Sequence, residues 1–276
     1  CSQTTDPQAG GGGGTDWEAR NVAVTGFARL DDGTPAAGAL VRLLPDTHRV
    51  PLPGPGELLD SASGLITGSD GWFRIDSLDT GAYSLEILGH SQQLPERAMH
   101  RVITITHPDD SVVLLDSLTL VPTGGIVGTV DRSTIGPRSK LCARVIGLDR
   151  ITAVDTVGVF AISGLAPSPY TVEIVSSDPA IRPATVPVTV LSDSISVLAP
   201  IEVAFDSTVD RAIVRTLLDM LGLDTVPVSA VCLTEGGRVV DLNLTNYVLH
   251  GLPDEVGELS MLRSLWVAGD SITRLP

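Results

Sequence analysis

Residues able to do chemistry are sparse in this chain and badly spaced for it. The five histidines are His48, His90, His100, His107 and His250. None forms the His-Glu-x-x-His pair of a zinc helix, and none accompanies a Gly-x-Ser-x-Gly nucleophile. Cys1, Cys142 and Cys232 include no pair at metal-ligand spacing. A Cys142–Cys232 disulfide would have to join two separate predicted regions. Asp31, Asp32 and Asp70 stand close to glycines, but Asp-Gly is the ordinary turn pair and no calcium-loop ladder of acids follows. Gly10 to Gly14 opens no strand–loop–helix carrying a lysine, so it is no phosphate loop. Glu86 and Glu173 recur at one position of a repeated pattern, and alternation beside Leu85 and Ile87 puts them on a solvated strand face. No catalytic residue, metal site or cofactor is called for. The side chains left with work to do are Cys1, Trp72 and a polar-aromatic set near the carboxyl end.

The elements that position them come from a duplication. Gly71, Phe73, Ile75, Leu78, Tyr83, Leu85 and Ile87 recur 87 residues later as Gly158, Phe160, Ile162, Leu165, Tyr170, Val172 and Ile174. Every landmark is glycine, aromatic or aliphatic, so the repeat describes a fold and its interior. Two copies of a unit with no repeated chemistry point to binding or display. In the first copy, Val22 to Leu30, Ala39 to Leu44, Phe73 to Ile75, Tyr83 to Ile87, Arg101 to Ile105 and Val112 to Leu120 read as short strands separated by Gly, Pro and Asp turns. That density of strands predicts a β-sandwich. Tyr83 and Tyr170 fit the tyrosine corner, in which the hydroxyl bonds the backbone. Trp72 lies between the Gly71 turn and inward Phe73, so it points outward and is a contact candidate. Gly128 stands for Gly26 at an offset of 102, so the first copy carries about 15 extra residues, placed within Arg49 to Ile66.

Composition limits the partners. The 276 residues carry 18 basic and 33 acidic side chains, a net charge of −15. Nucleic acid is excluded as a partner, since phosphate binding needs clustered Lys and Arg. The 43 % hydrophobic content is enough for buried cores, and no apolar run approaches the roughly 18 residues of a membrane helix.

Three resemblances add to this reading. Val24-Thr25-Gly26, Asp32-Gly33-Thr34-Pro35, Gly38-Ala39, Asp70-Gly71-Trp72-Phe73 and Gly81-Ala82-Tyr83-Ser84-Leu85 resemble the carboxypeptidase regulatory-like family over residues 21–121. The resemblance implies a seven-stranded, transthyretin-like sandwich that accompanies other proteins without catalysing anything. Cys1, followed by Ser2, Gln3 and a glycine tract, resembles the mature start of a bacterial lipoprotein. That resemblance implies acylation of Cys1, a flexible tether and a membrane anchor, with Ser2 pointing to the outer membrane. Val239-x-x-Leu242-x-Leu244 and Leu262-x-x-Leu265-x-Val267, 23 residues apart, resemble leucine-rich repeats; Leu249, Leu252 and Pro253 follow the first, and Ile272, Leu275 and Pro276 the second. The asparagine position departs from that pattern, with Tyr247 and Asp270 in its place. In that family the non-consensus strand positions face the concave side; here these are Val240, Asp241, Asn243, Thr245, Arg263, Ser264 and Trp266. Before the repeats, Asp206-Ser207 caps a helix whose apolar face is Val209, Ile213, Leu217 and Met220/Leu221, ended by Gly222.

The sequence therefore predicts a mainly β chain: a disordered Gly-rich tether at 1–20, tandem Ig-like or transthyretin-like sandwiches at 21–121 and 122–204, and a capping helix with two leucine-rich repeats at 205–276. The expected function is non-catalytic: a lipid-anchored protein of the bacterial cell envelope that binds another protein through Asp241, Asn243, Thr245, Arg263 and Trp266, or adheres through them. The alternative is a carbohydrate-binding accessory module of a polysaccharide- or wall-processing system.

Overall fold

The computed structural model describes residues 22–53, 64–89, 96–106, 112–132, 135–136 and 139–268. Cys1, the glycine tract, part of the Arg49–Ile66 insertion, and Asp270, Ile272, Leu275 and Pro276 lie outside them.

The first sandwich is built from β1 (Val22–Leu30), β2 (Leu40–Pro45), β3 (Leu65–Ile66), β4 (Trp72–Leu78), β5 (Gly81–Leu88), β6 (Arg97–Ile105) and β7 (Val112–Pro122). β1 lies between antiparallel β4 and parallel β7. β5 lies between β2 and β6, with β3 on the far edge of β2. A short pairing of Arg97 and Ala98 with Pro122 and Val121 links the two layers. Their inner faces share one core: Val22, Val24, Phe73, Leu115 and Leu118 from one layer meet Val41, Leu85, Ile87 and Ile103 from the other.

The second sandwich repeats the plan. Its strands are β8 (Gly124–Thr129), β9 (Leu141–Val145), β10 (Arg150–Ala153), β11 (Val159–Leu165), β12 (Ser168–Ser176), β13 (Ala184–Val190) and β14 (Ile195–Val197). β8 again pairs with an antiparallel fourth-strand equivalent, β11, and a parallel last strand, β14. The other layer runs β10-β9-β12-β13. Thr123 alone separates β7 from β8.

The duplicated landmarks have a physical cause. Gly26 faces Phe73 across β1 and β4, and Gly128 faces Phe160 across β8 and β11. A Cβ at Gly26 would lie 2.9 Å from the facing ring, and one at Gly128 would be closer still, nearer than real Cβ atoms come. Each ring is packed onto bare backbone. Gly71 and Gly158 hold φ of +79° and +94°, and a side chain on either would collide with the carbonyl oxygen of Ala28 or Val130. The Tyr83 and Tyr170 hydroxyls donate to the Asp79 and Ala166 carbonyls at 3.0 and 2.9 Å, so both form the backbone-bonding corner.

The third region comprises α1 (Ser207–Met220), α2 (Val228–Val231), β15 (Cys232–Glu235), β16 (Arg238–Leu244), a 3-10 turn (Asp254–Glu258) and β17 (Ser264–Val267). Asp206 caps α1, its side chain accepting from the Thr208 N–H. β16 pairs with β15 antiparallel and with β17 parallel, setting Asp241 beside Ser264 and Leu242 beside Leu265. Residues 23 apart thus stack side by side. Leu242, Leu244, Leu249, Leu252, Val256 and Leu259 form the core beneath, with Val214, Leu217 and Leu218 of α1.

Three expectations need correction. Glu86 and Glu173 are not solvated: they are 2 % and 5 % exposed, because the two sandwiches pack on each other over that strand face. Of the expected face of α1, Leu217 is buried and Ile213 and Leu221 pack partly on the core, but Asp210, Val214 and Leu218 are buried as well and Met220 is exposed. The helix is rotated because Arg238 holds the Asp210 carboxylate inside. Val240 is buried rather than on the open face, because it shares the strand parity of Leu242 and Leu244 and so lies on their side of β16.

Candidate interaction site

On β16 and β17 the side chains alternate, so Asp241 and Asn243 face away from the core beside Ser264 and Trp266. Leu233 of β15, opposite Asp241, extends this face and is exposed. Trp266 is 55 % exposed, yet its indole N–H donates to the Asp241 carboxylate at 3.0 Å. The ring is held in place while one side stays open to solvent. Asn243 turns its side-chain oxygen to the Thr245 N–H and hydroxyl, at 3.1 and 2.7 Å, which fixes the end of the strand. Arg263 precedes β17 and has the opposite parity to Trp266; it pairs with Glu235 at 2.8 Å. The structure thus brings Asp241, Asn243 and Trp266 onto one face, with Thr245 at its end and an Arg263–Glu235 pair at its border. Trp72 lies elsewhere. It is 41 % exposed on the first sandwich, cross-strand from half-exposed Phe27.

Two polar assemblies escape the sequence reading. The first is a seam between the sandwiches. Glu86 is paired with Arg42, its cross-strand neighbour, at 3.9 Å and with Arg150 of the second sandwich at 3.2 Å. Glu173 is paired with Arg144, its cross-strand neighbour, at 2.6 Å and with Arg49 of the first sandwich at 3.4 Å. Burial pushes the Glu86 carboxyl upward, and Arg150 and Arg42 offset part of that. His100 Nδ1 lies 2.9 Å from the Ser168 hydroxyl, and its ring is 4.9 Å from that of Tyr170. Burial lowers the pKa of His100 and raises that of Tyr170. The Gly147 N–H donates to the His48 carbonyl, and a Cβ at Gly147 would come within 2.6 Å of the Ser84 hydroxyl. Arg144 also donates to the Val50 carbonyl at 2.6 Å.

The second assembly centres on Arg238, which is buried. Its guanidinium donates to Asp210 of α1 at 3.1 Å and to Asp178 of the second sandwich at 2.8 Å. It also bonds the Ser260 hydroxyl at 2.8 Å and lies 5.4 Å from the Phe205 ring centre. Ser139 and Ser260 both donate to Asp178. Burial alone would raise the Asp178 carboxyl, but the Ser260 hydroxyl and Arg238 outweigh it and hold it below the usual range. One cation thus joins sandwich, helix and repeat-like sheet. No spacing in the sequence marks it, because its partners are 60 and 28 residues away.

Chemistry is otherwise thin. Among the described residues no group of three or more His, Cys, Asp or Glu could hold a metal ion. Cys142 and Cys232 are free thiols, the first buried. Asp32 and Asp70 use their carboxylates on the backbone of Thr34 and Trp72, as turn residues do. No helix is long and apolar enough to cross a membrane among the described residues.

No family model matches the chain, so the carboxypeptidase regulatory-like resemblance rests on the quoted motifs. No curated protein matches either. Similar solved structures include a streptococcal ancillary pilin, 15 % identical over 68 % of this chain and 63 % of that one, with a TM-score of 0.30. A minor pilin of Streptococcus agalactiae is 16 % identical over 67 % of this chain and 96 % of that one, with a TM-score of 0.30. A leucine-rich repeat protein from Bacteroides thetaiotaomicron is 13 % identical over 91 % of this chain and 38 % of that one, with a TM-score of 0.26. At such TM-scores these likenesses decide nothing, and the mainly β architecture stands on the strand pairings themselves.

Proposed function

We propose that this chain is a non-catalytic protein of the bacterial cell envelope, anchored by lipid on Cys1 and binding another protein through the Trp266 face. The anchor would hold it at the outer membrane or cell surface, behind the tether at 1–20. Carboxypeptidase regulatory-like sandwiches at 21–121 and 122–204 carry a segment of two leucine-rich repeats at 205–276. The in-register stacking of residues 23 apart supports the repeat assignment. The observation that carries the binding reading is Trp266: a large apolar ring left open to water and pinned by Asp241, beside exposed Leu233 and bordered by an ion pair. Rigid aromatic anchors inside a polar rim are what protein interfaces concentrate their energy on.

The test is recovery of a partner from detergent-solubilised surface protein by the purified chain. Trp266→Ala costs about 2 kcal/mol of binding, near thirtyfold in Kd, and Trp72→Ala leaves recovery unchanged. Equal recovery by both variants refutes the reading, and strong binding on a glycan array by the unaltered chain replaces it with the carbohydrate alternative. Mass spectrometry of the natural protein checks the anchor: an acylated Cys1 is expected, and an unmodified amino terminus rules the anchor out.

A further inference from the structure

The seam between the sandwiches uses one surface twice. Arg42 and Arg144 hold the same place on β2 and β9, and Glu86 and Glu173 the same place on β5 and β12. Each glutamate is paired with the arginine beside it and with a second arginine from the other sandwich: Arg150 reaches Glu86, and Arg49 reaches Glu173. Both reaching arginines follow the second strand of their own module. Charge is thus matched in both directions across the seam, although the reaching arginines are not equivalent positions: at the offset of 102 that maps Arg42 onto Arg144, Arg49 maps onto Ile151. The neutral contacts are just as close, with Gly147 against Ser84 and His100 against Ser168 and Tyr170.

We propose that this face is a homotypic docking surface, and that its occupant besides the neighbouring sandwich is a second copy of this chain. The first sandwich of one chain closes on the second sandwich of another, and the reverse, giving a two-chain exchange dimer with two seams. Such an exchange needs no new contact, because every pair in it already exists within one chain. The short Thr123 connection keeps the two faces at high effective concentration and favours closure within one chain in dilute solution. Crowding of chains shifts the balance toward exchange. This inference is independent of what the Trp266 face binds.

Two full-length variants test it. Glu86→Arg sets a new guanidinium against Arg150 within its own chain. Arg150→Glu sets a new carboxylate against Glu86 within its own. Neither variant closes its seam well alone or with its own copy. Mixed, they satisfy both seams of an exchange dimer. The arginine introduced in one chain meets the glutamate introduced in the other, and the native Glu86 and Arg150 that remain meet each other. Light scattering after size exclusion should give monomer mass for each variant alone and twice that mass for the mixture. The double variant in a single chain should be monomeric. Monomer mass in the mixture, with both variants folded by circular dichroism, overturns the proposal. Should either reversal prevent folding, the unaltered chain is refolded from denaturant at rising concentration. A dimer fraction that grows with concentration supports exchange, and monomer throughout overturns it.

Discussion

At the scale of single residues, the positions that matter most are those where a side chain is impossible or a charge is sealed in. Gly128→Ala must displace Phe160 from a backbone it already touches and costs about 1–3 kcal/mol as an overpacking change. Gly251→Ala, with open space around the added methyl, stays within about 0.5 kcal/mol; urea unfolding of the two variants measures the contrast. Arg238→Ala leaves Asp178 and Asp210 buried without their cation, a loss of about 3–5 kcal/mol, read from the same experiment. The landmark glycines and aromatics are legible in the sequence because their spacing is local and repeated. Arg238 is not, since nothing in its neighbourhood tells a buried arginine from a surface one.

Among the elements, α1 shows how an ionic partner overrides a hydrophobic pattern. Reading apolar residues alone selects Val209, Ile213, Leu217 and Met220/Leu221; Leu217 is indeed buried, but the helix also turns Asp210 inward to Arg238 and to the Val239 N–H and leaves Met220 exposed. Its amino terminus gives a clean pH signature. Hydrogen bonds from Thr208, with Arg182 adding to them, depress the Asp206 carboxyl to about 2. A depressed carboxylate stabilises the fold above its unfolded pKa, near 3.9, and loses that contribution as pH falls through the folded value. The helix should therefore loosen between about pH 4 and about 2. Asp206→Asn, which keeps a capping oxygen but cannot ionise, removes that step from the acid titration followed by far-ultraviolet circular dichroism. The strands of the first sandwich are foreseeable from alternation and those of the second from the duplication, while the outward placement of Asp241, Asn243 and Trp266 is foreseeable from the leucine-rich repeat resemblance. The burial of Val240 follows from alternation too, since it shares the parity of Leu242 and Leu244; the repeat pattern hides this by counting it among the non-consensus positions.

The whole molecule depends on what covers each sheet, and that is where sequence reading stops. Period-two alternation assigns Glu86 and Glu173 to the outer face of their strands correctly. It cannot say that another copy of the same sandwich lies on that face. Once it does, each carboxylate is shared between two modules, and the modules become coupled. The expected outcome is a single cooperative unfolding transition for the two sandwiches. Glu86→Arg should split it in two, seen by calorimetry as a broadened or double peak; an unchanged single peak would show the seam to be energetically silent.

The crossing at Thr123 has a mechanical consequence. Its N–H is given to the Glu96 carbonyl of the first sandwich, and its carbonyl accepts the Asp193 N–H of the second. Both backbone groups of the connecting residue are occupied, one by each sandwich. A pull between the two sandwiches would load those two bonds together with the Arg150–Glu86 and Arg49–Glu173 pairs of the seam.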